Sequence, residues 1–115
     1  MVGLSNDQHR AAWMIASYLR SVGREVVPVN PNCIEVMGLK CYPTVQSIPG
    51  KVDLVDVFRR AIFCPAVVED AIAARAGAIW LQSGIVSPEA RRLAEEAGLD
   101  YIENRCLMVE MMHAD

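Results

Sequence analysis

Short apolar runs alternate with amphipathic stretches along the whole chain, and the connectors between them are brief. The clearest instance is Ala78-Ile79-Trp80-Leu81-Gln82, an uncharged run of strand length, preceded by Gly77. Ser87-Pro88-Glu89 follows it, with serine in the N-cap position, proline at the first helical position and an acid beside the positive helix end. A strand, a helix and a further strand in quick succession are joined by a right-handed crossover, which makes the strands parallel. A chain that repeats this unit covers both faces of a parallel sheet with helices.

The repeat holds from the first residue. Met1 to Leu4 reads as the stub of a strand, with Ser5, Asn6 and Asp7 as candidate caps for a helix. That helix carries Ala11, Met14, Ile15, Tyr18, Leu19 and Val22 at helical spacing and ends at Gly23. Glu25 to Val29 is a second strand, which Pro28 places near an edge or distorts, and Asn30-Pro31-Asn32 closes it in a sharp turn. Ile34 to Met37 reads as a short helix ending at Gly38, and Lys40 to Tyr42 as a brief strand. Past the Pro43–Gly50 loop, Val52 to Phe58 is a strand rich in branched residues. Cys64-Pro65 opens a helix that turns Val68, Ala71 and Ile72 inward and stops at Gly77. Leu93, Ala94 and Ala97 give the Ser87 helix its apolar side; Tyr101 to Glu103 is the last strand, and Leu107 to Met112 a final helix. The expected fold is one α/β domain over residues 1–115, a doubly wound, mostly parallel sheet. Its first strand belongs in mid-sheet yet has only three residues before Leu4, so it reads as truncated.

Composition narrows the classes. With 115 residues, 53% of them hydrophobic and 22% charged, the chain supports one domain with a real core and is not a disordered segment. A net charge of −3 argues against general nucleic-acid binding, which needs a basic surface. The longest uncharged stretch, Ala76 to Pro88, falls short of the roughly 18 apolar residues of a membrane span, and residues 1 to 15 lack a secretory pattern. A cytoplasmic protein is expected. Cys33, Cys41, Cys64 and Cys106 contain no C-x-x-C pair and read as buried small side chains rather than disulfide partners.

Catalytic patterns are scarce. His9 and His113 read as solvated, no spacing suits a metal, and no nucleophile elbow is present. Asp53 and Asp56, three apart on a strand, face opposite ways and do not make an acid pair. Cys106 beside Arg105 reads as a packing residue, with a reactive thiolate as the lesser alternative. Ligand chemistry is more legible, because open α/β sheets bind beyond the carboxyl ends of their strands. Arg10, Lys40, Arg59, Arg60 and Arg105 all map to that rim of a net acidic chain, which points to an anionic ligand. The turn at Gly3 runs into a helix start, where backbone N–H groups and the Ser5 hydroxyl suit phosphate; a plain turn explains the same residues. It is not a G-x-G-x-x-G fingerprint, since the next glycine is Gly23, and no G-x-x-x-x-G-K-[ST] loop occurs. After the second strand stands neutral Asn30 instead of the carboxylate that grips a free ribose. That suits an adenosine whose ribose carries its own phosphate, as in NADP or coenzyme A; a simple Asn-Pro turn is the alternative.

Taken together, Val2-Gly3-Leu4-Ser5, Val27 to Asn32, Gly38 to Pro43, Ser47-Ile48-Pro49, Val52 to Arg59, Trp80 to Gly84 and Asn104-Arg105-Cys106 resemble the small bacterial and archaeal CoA-binding proteins. These are single Rossmann-like domains similar to the N-terminal domain of the succinyl-CoA synthetase alpha subunit. The resemblance spans nearly the whole chain and implies a coenzyme A site. By position, Gly3, Leu4, Ser5 and Arg10 hold phosphate, and Asn30 and Pro31 border the adenosine. Lys40 reaches a phosphate, Val57, Phe58 and Arg59 line the adenine and pantetheine side, and Gln82 faces the thiol-bearing arm. The ligase subunit works through a phosphorylated histidine in a second domain that these residues do not include, so binding of CoA or acyl-CoA without catalysis is the leading expectation. An NADP-type enzyme fragment is the second. The third is an interaction protein or homodimer using the apolar 61–64 loop, with Ile62 and Phe63, and the Met111-Met112 pair.

Overall fold

The computed structural model describes residues 1–7 and 10–114, so the expectation for His9 lies outside the described residues. Three strands, β3 (Leu54–Val57), β4 (Ala78–Leu81) and β5 (Asp100–Ile102), pair in parallel, with Leu54 opposite Ala78 and Ala78 opposite Asp100. The sheet continues past β3 through single parallel bridges, from Val57 to Val2, from Val2 to Val29 and from Val29 to Tyr42. In space the segments run Tyr42, Val29, Val2, β3, β4, β5, which in chain order is third, second, first, fourth, fifth, sixth. This is the doubly wound α/β order, and it reverses between Val2 and β3.

The first strand is in mid-sheet and reduced to Val2, whose N–H donates to the Asp56 carbonyl at 2.8 Å and whose carbonyl accepts from Phe58 at 2.9 Å. Met1 adds one rung, its amino group donating to the Val27 carbonyl at 2.8 Å. At the amino ends of the strands a cleft of about 750 Å³ passes between the two neighbours of this stub. It is lined by Leu19, Leu107 and Met111 from one layer and by Val45, Ile48 and Val52 from the other. Pro28 is inside the sheet and distorts it: Tyr42 N–H donates to its carbonyl at 3.0 Å, but proline has no N–H to return, and pairing there shrinks to one bridge.

Helices cover both faces. α1 (Ala11–Ser21) and α4 (Leu107–His113) pack together on one side around Leu4, Ile15, Ala16 and Val36; α2 (Cys64–Ala73) and α3 (Pro88–Glu96) pack on the other around Val57, Val68, Ile79 and Leu81. A 3-10 turn, Ala61–Phe63, leads into α2. Ser87 caps α3 as its sequence requires, accepting the Ala90 N–H at 3.1 Å. The thiols of all four cysteines are free; burial pushes those of Cys41 and Cys64 above their ordinary value.

Several local expectations are corrected. Residues 34–37 form no helix: β1 (Glu35–Val36) and β2 (Leu39–Lys40) make an antiparallel hairpin around Met37 and Gly38, both at positive φ. A two-residue turn of that hand matches strand twist, so Gly38 here closes a hairpin. Helix α1 begins at Ala11 after Arg10, without a side-chain cap, and it buries Ala12, Ile15, Ala16 and Leu19. Met14 and Val22 are exposed, because the two alanines allow the helix to sit close to the sheet on a narrower stripe. Ala97, past the end of α3, is exposed. Helix α2 stops at Ala73 and the chain reverses at Arg75, in the left-handed region at φ 57°. Gly77 serves a different purpose, since a Cβ there would lie 2.7 Å from the Asp53 carbonyl oxygen.

Candidate functional site

Where strand order reverses, the chain leaves Val2 toward one face and β3 toward the other, and a crevice opens at their carboxyl ends. A cleft of about 790 Å³ occupies that place, within the range of small-molecule sites. Gly3 forms its inner edge. Its N–H donates to the Val29 carbonyl at 3.0 Å, its φ is +95°, and a Cβ would stand 3.0 Å from the Phe58 carbonyl oxygen. Only glycine lets the backbone turn this close to Phe58.

One wall comes from the turn after the second strand. Asn30 uses its whole side chain to shape that turn: Nδ2 donates to the Leu4 carbonyl at 3.2 Å and Oδ1 accepts from Asn32 N–H at 2.9 Å. Pro31 and Asn32 face the cleft from it. Across the opening, Phe63, Ala66, Val67 and Asp70 project from the 3-10 turn and α2 at helical spacing. The Arg59 guanidinium stands over the Phe63 ring at 4.2 Å, with that of Arg60 at 5.8 Å. Ser5 and Arg10 close the near end; Ser5 Oγ accepts Asp7 N–H at 3.3 Å and Arg10 pairs with Asp7 at 3.5 Å. Because α1 starts only at Ala11, the Gly3 turn is a free-standing bend rather than the first turn of a helix.

The structure thus brings Gly3, Ser5, Arg10, Asn30, Pro31, Phe58, Arg59 and Arg60 around one cleft. It places the other sequence candidates elsewhere. Leu4 and Val57 are fully buried behind the cleft. Lys40 stands over the Tyr42 ring at 5.0 Å, outside the lining, and Arg105 pairs with Glu110 at 3.1 Å beside α4. Cys106 is the residue before α4 and is half-buried. Gln82 is buried and links elements: its Oε1 accepts Leu107 N–H at 3.3 Å, and its Nε2 donates to Asp56 Oδ1. Sequence reasoning missed Thr44, Gln46 and Asp70 in the cleft wall. The i, i+3, i+4, i+7 series Phe63, Ala66, Val67, Asp70 is the signal that contained the last of them.

The sequence gives Asp56 only as an acid facing away from Asp53, and not its burial. Its carboxylate is buried in the sheet beside Gln82, and its Oδ2 has no hydrogen-bond partner among the described residues. Burial pushes this carboxyl up to about 6, against the opposing pull of the Gln82 hydrogen bond and the Met1 ammonium.

Known proteins of the same shape and sequence pattern carry the rest. A family profile described as a CoA binding domain matches residues 1–112. The uncharacterised protein YneT of Bacillus subtilis is 35% identical over 109 residues, covering 95% of this chain and 81% of that protein. A hypothetical protein from Pyrococcus horikoshii superposes with a TM-score of 0.94 at 41% identity, covering 96% of this chain and 78% of that one. The ADP-forming acetate–CoA ligase II of Archaeoglobus fulgidus is 32% identical over 116 residues, 98% of this chain but 16% of the ligase. With a glycine-edged cleft at the strand-order reversal and a family match over nearly its whole length, this chain belongs to the CoA-binding domain family.

Proposed function

We propose that residues 1–115 form a single domain that binds coenzyme A or acyl-CoA in the cleft at the strand-order reversal, without catalysing a reaction on it. The observation that carries this reading is the bend at Gly3. Its backbone packs against the Phe58 carbonyl with no Cβ between them, which draws the two strand ends together as the inner edge of the cleft, with Arg59 and Arg10 in the same lining. In this reading the phosphates lie between the Gly3–Ser5 bend and the guanidinium groups of Arg10 and Arg59, and Asn30, Pro31 and Phe58 flank the adenosine. Leu4, Val57 and Gln82 support the site from behind, and Lys40, outside the lining, is the cation that would meet a more distant phosphate of the ligand. A ligand phosphate would compete with Asp7 for Arg10, which is an exposed pair of small energetic worth. The interface reading rests on Ile62, which is 79% exposed, and on Met112 in the opposite layer; Phe63 is engaged by Arg59, and Met111 packs on the α1–α4 core. No described helix is long and apolar enough to cross a membrane, and a cytoplasmic setting is part of the proposal.

Isothermal titration with CoA and with dephospho-CoA, which lacks the 3′-phosphate, tests the assignment. Micromolar binding of CoA that weakens at least tenfold on losing that phosphate is expected. Equal affinities would remove phosphate recognition, and tighter binding of NADPH than of CoA would transfer the site to a dinucleotide.

A further inference from the structure

The cleft wall opposite Gly3 includes the Pro43–Gly50 loop, which has no regular structure of its own in that span and yet presents Thr44 and Gln46 to the cleft. It is held from a distance. Asp70, on α2, accepts the Val45 N–H on Oδ2 at 2.7 Å and the Gln46 N–H on Oδ1 at 3.1 Å. Consecutive backbone N–H groups converging on oxygens of one carboxylate are an anion-binding arrangement, here filled by the protein's own side chain. The loop reinforces it locally, with Ser47 Oγ donating to the Thr44 carbonyl at 2.7 Å and Val45 buried beneath. Glu69 and Asp70 are the acids on a wall whose other end carries Arg59 and Arg60, nine or more residues earlier. An acid at the site of a phosphorylated ligand is unfavourable unless it has another task, and the two charge-assisted hydrogen bonds define that task.

We infer that Asp70 is the positioning residue of this cleft: as an internal anion it fixes the Thr44–Ser47 wall against which the ligand lies. The inference rests on the CoA-binding reading for its ligand but not for its geometry, and the two are separable. In Asp70→Ala the Val45 and Gln46 amides lose their acceptor, the wall loosens, and CoA affinity falls about tenfold or more. Two restorations distinguish positioning from general damage. Asp70→Glu, which keeps the carboxylate, retains most of the affinity. Formate at tens of millimolar, a free carboxylate small enough to enter the vacated place, recovers affinity in Asp70→Ala and leaves the parent protein unchanged.

Amide hydrogen exchange read at Val45 and Gln46 follows the same variants without any ligand. Protection of both amides is expected in the parent, lost in Asp70→Ala and regained with formate. If the parent binds no CoA while this exchange pattern holds, the functional assignment fails and the anchor stands. If Asp70→Ala binds CoA like the parent, or if neither glutamate nor formate restores affinity and protection, Asp70 is not a positioning residue.

Discussion

Gly3 concentrates the local demands of the site. Its φ of +95° lies where a side chain is strained, and the atom that a Cβ would meet at 3.0 Å belongs to backbone at the end of β3, which cannot rotate away. Left-handed backbone costs a non-glycine residue about 1–2 kcal/mol, and forcing β3 aside adds to it. Gly3→Ala is therefore expected to lose about 2 kcal/mol in urea denaturation and to weaken CoA binding by more than that stability loss alone produces, because the bend itself is displaced. Unchanged affinity in a folded Gly3→Ala protein would show that no ligand touches this bend. The residue was legible because a strand stub ending in glycine is a recognisable turn. Asn30 was legible only as a position: the sequence gives its neutrality, but its commitment to Leu4 and Asn32 depends on a partner 26 residues away. Asp70 was legible as a position on its helix face but not as an anchor, since its partners are amides in a loop that carries no pattern.

At the scale of elements, the segments that declared themselves were those with their own start and stop chemistry. α3 has its serine cap and N1 proline, and β4 is a continuous apolar run bounded by Gly77. The segment 34–40 misled because glycine four residues after Ile34 is equally a helix stop or a hairpin turn; tertiary pairing of Glu35 with Lys40 decided it. The Ala61–Phe63 turn shows the opposite failure. It was noticed for its apolar composition, and the structure divides its residues: Phe63 packs under Arg59 at the cleft, whereas Ile62 points outward at 79% exposure with no described neighbour to bury it. Ile62 is thus the element's test of self-association. Sedimentation velocity is expected to give a dimer for the parent and a monomer for Ile62→Glu, with CoA affinity retained in both. A monomeric parent at tens of micromolar would leave the loop without that role.

For the whole molecule, the doubly wound order was readable from the alternation of elements, but the energetics of its centre were not. β3 and the Val29 segment flank a stub of one bridged residue, and beside that stub lies Asp56, a carboxylate placed among apolar neighbours with one oxygen lacking a partner among the described residues. Strand periodicity assigned Asp56 a face; whether that face is solvent or core depends on α1 and α4 closing over it. The consequence is a pH dependence with a definite sign. The carboxyl titrates at 3.8 in its ordinary state and at about 6 in the fold, where burial disfavours the anion. The folded state therefore holds this proton more tightly than the unfolded one, so stability from this group is complete below pH 3.8 and is lost as pH rises toward 6. At about 1.4 kcal/mol per unit, the loss is on the order of 3 kcal/mol. Other carboxylates push the total the opposite way in acid, so the informative quantity is the difference between the parent and Asp56→Asn, which cannot ionise. Asparagine keeps an acceptor for Gln82 and carries no charge; it also removes the charge facing the Met1 amino group, which burial holds down at about 6, so the measured difference reads the two groups together. Urea denaturation from pH 4 to pH 7 is expected to show Asp56→Asn gaining on the parent by about 2–3 kcal/mol, with most of the gain below pH 6.5. A difference that stays flat across that range would mean that water or a rearranged partner reaches Asp56, and that the sheet centre is more open than its packing indicates.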